Sequence, residues 1–173
     1  MRALRVALLA DRAHRRCLWR RRDKRRLRPV GIAYRCDADL GCTFVVWDGA
    51  VTPDQWRKHV ARIVGDPGFP PGPLLLGDLS TVGDAPTITT DVIAEMVGRW
   101  RPGASDLGLE RCGIVATGAL EKARQFVLEL EGSGLSAMIF DEPWAACTWL
   151  GLDTEAARST LKDLREQLRT PAA

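Results

Sequence analysis

Histidine is scarce in this chain: His14 and His59 are the only two in 173 residues. A hydroxyl or thiol nucleophile needs a base within hydrogen-bond reach, so there is little here from which to build triad catalysis. The five cysteines (Cys17, Cys36, Cys42, Cys112 and Cys147) include no C-x-x-C pair. His59 with Cys36 or Cys42 lacks metal-ligand spacing, which argues against zinc. No Walker loop occurs, and "VATGAL" offers a single glycine ahead of a helix, a weak phosphate signal. Apolar runs are short as well. "VALLA" near the start cannot form a signal core or a membrane span, and its arginines follow rather than precede it. An odd number of cysteines without a secretory signal fits a reducing cytosol, so free thiols and a cytoplasmic location are expected. No cofactor and no metal are expected, and the chain reads as a non-enzyme.

Charge, by contrast, is plentiful and unevenly placed. Residues 1–28 hold 12 of the 25 basic residues against Asp11 and Asp23, so this arm carries +10 and the remainder −7. A block of like charge with little to bury reads as a solvated, disordered arm over 1–29. Such an arm can contact nucleic acid through phosphates. Apart from Trp19 it lacks interleaved aromatics, and no nucleic-acid fold follows, so a bland tail is favoured over a functional arm.

From Pro29 onward short apolar runs alternate with helical periods, the pattern of a layered α/β domain. "VGIAYRC" and "GCTFVVWDG", joined by "DADL", predict an antiparallel hairpin. "TPDQWRKHVARIVGD" predicts a helix with Thr52 and Gln55 in a capping box, Pro53 in the first turn and Trp56, Val60, Ile63 and Val64 on one face. "LLLGDLS" has no polar alternation and predicts a strand covered on both faces, central in the sheet. A helix over "TTDVIAEMVGRW" would bury Val92, Ile93, Met96, Val97 and Trp100. "CGIVATG" predicts the next strand and "ALEKARQFVLELEGSG" a helix closed at Gly132. "SAMIFD" predicts the last strand and "EPWAACTWLG" a short helix capped by Asp141 and stopped by Gly151. A final helix over 153–173 places Ala157, Leu161, Leu164 and Leu168 on a narrow stripe that suits packing on its own domain, although the spacing permits a dimer seam. The whole is a single-domain ββαβαβαβα mixed sheet with helices packed on it, plus that helix.

"VVWDGAVTPDQWRKHV", "LLLGDLSTV", "CGIVATG" and above all "AACTWLG" make residues 30–152 resemble the bacterial STAS/SpoIIAA-like proteins. The resemblance implies a fold akin to anti-sigma-factor antagonists and to the lipid-carrier lobe of Sec14-like proteins. In the antagonist branch a D-S-S-G or D-S-T-G turn after the strand carries a phosphorylated serine. Here Asp78–Ser80 match the strand end, but "TVGDAPTITT" follows. The acceptor therefore does not carry over, and Ser80, Thr81 or Thr87 would have to substitute.

If the strands ending at Asp48, Asp78, Thr117 and Asp141 are parallel, those ends share one rim beside helix N-termini. The candidate partner- or ligand-binding rim is Asp78, Ser80, Thr81, Thr117, Gly118, Asp141 and Trp144, with Ser80 and Thr81 as possible phosphorylation sites. Thr117 and Asp141 also fall where helix caps are expected. Trp144 and Trp149 lie about 140° apart around one helix, so Trp149 joins Ala145, Ala146 and Leu150 in the core while Trp144 stays near the rim. Two functions follow: a regulatory module that binds a protein partner through the rim, or a carrier of a hydrophobic small molecule, motivated by the Sec14-like kinship and the six tryptophans.

Overall fold

The computed structural model describes residues 31–69, 72–104 and 108–170, side chains of 99–104 excepted. The basic arm of residues 1–29, Cys17 and the Trp100 side chain lie outside the described residues. The elements run β1 (Gly31–Asp37), β2 (Cys42–Asp48), α1 (Pro53–Val64), β3 (Leu74–Asp78), α2 (Thr90–Ala104), β4 (Arg111–Val115), α3 (Leu120–Glu129), β5 (Ser136–Phe140), α4 (Pro143–Leu150) and α5 (Thr154–Arg169). This is the α/β order that the alternation of apolar runs and helical periods predicts.

Local chemistry explains several of the boundaries. In the β1–β2 turn Asp37 accepts a hydrogen bond from the Leu40 amide, and Gly41 takes φ +57°. Gln55 N–H donates to the Thr52 hydroxyl and Thr52 N–H to the Gln55 side chain, completing the box that starts α1 at Pro53. Gly151 stops α4 at φ +76°, and the Asp153 carboxylate caps α5 by accepting from Ala156 N–H.

Strand order in the sheet equals chain order, β1-β2-β3-β4-β5, with β1 antiparallel to β2 and the other neighbours parallel. "LLLGD" is therefore the central strand. Because each crossover moves one strand in the same direction, a constant hand puts all three crossover helices on one side. Their apolar residues do share one face: Trp56, Val60 and Ile63 of α1, Ile93 and Met96 of α2, and Ala123 of α3 pack with Val45, Trp47, Cys112 and Ile114 of the sheet. The opposite face is left for whatever follows β5. There α4 and α5 cover Phe44, Val46, Leu76 and Val115, burying Ala146, Cys147, Leu150, Leu161 and Leu164.

Three details differ from the sequence expectation. Val64, expected on the apolar face of α1, is 54% exposed at the last residue of that helix, and His59 joins Trp56, Val60 and Ile63 in its place. The buried line of α4 runs through Ala146, Cys147 and Leu150, whereas Ala145 and Trp149 are half-buried. Trp149 lies at the sheet margin, its ring tilted against Phe140 and its carbonyl accepting from Arg111. Gly132 does take a left-handed φ of +77°, but α3 ends at Glu129 with Leu130 as its right-handed C-cap, so the glycine shapes the loop beyond the helix.

Candidate functional site

Sheet register aligns Val46, Asp78, Val115 and Phe140 across β2 to β5, which makes the strand ends a common rim. Asp78, however, does not face solvent. Its side chain is 1% exposed and pairs with the Arg165 guanidinium, reaching from α5 across 87 residues of chain. Its other carboxylate oxygen accepts from Ser80 N–H at 2.9 Å. A carboxylate held this way is a structural tie between the central strand and the last helix. Asp78 is the ion-pair partner of the Arg165 guanidinium among the described residues, while Arg165 Nε is buried without a hydrogen bond.

The remaining rim residues are largely engaged in holding the β3–α2 loop. Thr81 donates to the Trp47 carbonyl at 3.0 Å, and Thr87 to the Val51 carbonyl at 3.2 Å. Thr117 donates to the Ser80 carbonyl at 3.3 Å instead of capping α3, whose N-cap is Ala119 with no side-chain bond. Asp141 does not cap α4 either. The N-cap of that helix is Glu142, just ahead of Pro143, and Asp141 is exposed. A Cβ on Gly118 would stand 2.5 Å from the Val82 carbonyl, so the absence of a side chain lets the loop close on the start of α3. Thr117 and Asp141 do border a groove with Leu120, Arg124 and Phe140. Trp144 projects beyond the fold, 62% exposed. Ser80 is half-buried, and no imidazole is hydrogen-bonded to it among the described residues.

Beneath the loop lies a feature that composition and spacing did not reveal. A cavity of about 120 Å³ sits between the sheet and α1, α2 and α3. Trp47, Trp56, Ile93, Met96, Ile114 and Phe126 contribute to its wall, and the loop residues Val82, Ala85 and Ile88 are buried along it. The three-residue spacing of those loop side chains within "TVGDAPTI" was the available signal of an anchored loop. Beside the Cys112 thiol, two polar side chains among the described residues reach the wall, His59 and Lys122. Burial, assisted by nearby Arg62, lowers the His59 pKa to about 4, so the imidazole is neutral at ordinary pH. Its ring meets Tyr34 edge-on, centres 5.5 Å apart.

Cys42, Cys112 and Cys147 are buried free thiols, and burial raises the pKa of each, which leaves them protonated core residues. Among the described residues there is no cluster of three or more His, Cys, Asp or Glu placed to hold a metal ion. Nor is any described helix long and apolar enough to cross a membrane. No protein-family model matches the chain, and no curated protein matches it either.

Proposed function

We propose that this chain is a non-enzymatic binder of a small hydrophobic molecule, held in the cavity between the sheet and the crossover helices, in keeping with the STAS/Sec14-like resemblance. The cavity itself carries the reading. Ligand sites are concave and mostly apolar with a few convergent polar groups, and this one combines two tryptophans and other apolar side chains with His59 and Lys122. Native mass spectrometry on the gently purified protein tests it. The expected result is a bound small-molecule mass that disappears when Ala123→Leu fills the cavity. A bare polypeptide in both cases, with no binding of added single-ring compounds, would overturn it.

A second reading is favoured by one specific observation, the 62% exposure of Trp144 beside the groove at Thr117 and Asp141. An exposed tryptophan is a typical interface anchor, and here it would serve a protein-binding regulatory module using the rim. The partner would meet Trp144, Thr117 and Asp141, because Asp78 is committed to Arg165. Pull-down with wild type and Trp144→Ala tests this reading, and undiminished capture of every partner by the variant would end it.

A further inference from the structure

Resting on the cavity reading, we infer that the ligand is a monoanionic compound of about one ring, its apolar body in the cavity and its acid group at Lys122. Size comes first. A cavity of about 120 Å³ compares with the roughly 150 Å³ void that accepts benzene in an engineered protein interior, which limits the buried body to about one ring or a short alkyl chain. Charge comes second. Among the described residues, Lys122 is the only ionic side chain on a wall otherwise made of apolar groups, a protonated thiol and neutral His59. It is half-buried in the first turn of α3 and has no ion-pair partner among the described residues.

A further observation points the same way. His59 is only 7% exposed, lines the cavity, and has no hydrogen-bond partner among the described residues. Neither ring nitrogen is sealed off as a fully buried unpaired atom, and a ligand oxygen can accept from the imidazole N–H. A lysine and a neutral donor share one complement, an anionic oxygen on an otherwise apolar molecule. A cation would meet Lys122 with like charge, and a neutral hydrocarbon would leave both polar groups unmatched.

The test uses phenylacetate, phenylacetamide and phenethylamine as anionic, neutral and cationic probes of one shape, with xenon as a probe of the void alone. Binding is followed through the indole N–H signals of Trp47 and Trp56 in wild type and in Lys122→Met, which keeps the stem and removes the charge. Phenylacetate should bind about tenfold tighter than phenylacetamide, the effect of one charge-assisted hydrogen bond, with phenethylamine weakest. Lys122→Met should erase that order. If phenylacetamide binds as well as phenylacetate, or the order survives in Lys122→Met, the anionic assignment is wrong while the cavity reading stands. Entry of xenon without any of the three rings would likewise overturn the assignment alone. If neither xenon nor any ring moves the indole signals, both fall together.

Discussion

The two faces of the sheet are packed to different standards. Under α4 and α5, Phe44, Leu76, Leu150, Leu161 and Leu164 close into a buried core, whereas under the crossover helices Val45, Trp47, His59 and Met96 border a cavity of about 120 Å³. Two consecutive helices laid over five strands can match their ridges to a continuous apolar surface. Three crossovers, each tethered to its own pair of strands, meet one another across loops and leave a gap. One face therefore supplies stability, and the other has room for a guest.

The largest expected effect lies on the closed face. Arg165→Met leaves Asp78 buried and without its counter-charge, and losing one partner of such a pair costs about 3–5 kcal/mol, read as a lowered denaturant midpoint. Asp78→Asn should cost less, because Arg165, 26% exposed, still reaches water. A reversed order would show that the pair does not close this face as described.

On the open face the effect to measure is a pH dependence. His59 has a pKa of about 4 when folded and the ordinary value near 6.5 when unfolded, so the unfolded chain binds the extra proton between those values. Stability should fall as pH drops through that window, by about 3 kcal/mol in all, and level off below it. His59→Leu should flatten the profile, and an unchanged profile would mean that the imidazole is not buried as a neutral group.

Paired alanine substitutions compare the faces directly. Ala146→Leu forces a larger side chain into the solid face and should cost about 1–3 kcal/mol. Ala123→Leu enters the cavity and should change stability by less than about 1 kcal/mol while blocking ligand. Equal costs would remove the contrast. The smallest effect belongs to Trp144→Ala, within about 0.5 kcal/mol for an exposed site by thermal unfolding, so any loss of partner binding would be separable from unfolding.

Features encoded by adjacent residues were legible in the sequence. The Thr52–Gln55 box, the DADL turn and the Gly151 stop are local, and "LLLGD" announced a doubly covered strand through its lack of polar alternation. The rim was legible only as a place. Asp78 looked like a site because its partner, Arg165, lies 87 residues away, and no short-range pattern carries that distance. Thr117 and Asp141 failed as caps because the N-cap of each helix falls one or two residues later, at Ala119 and Glu142, which make no side-chain cap bond, a shift below the resolution of cap preferences. The cavity was invisible for a different reason. Voids depend on how separate crossovers meet, and each of those helices reads as normally amphipathic by itself.

The order of the strands also bears on how this chain is made. Phe44, Val46 and Leu76 leave the ribosome well before their cover, residues 143–169, so the nascent sheet presents one greasy side until α4 and α5 have followed. Contacts this distant in sequence form slowly, and exposed strands of that kind associate with one another while they wait. Chains released before α5 is complete should therefore accumulate as aggregates rather than as a smaller folded protein.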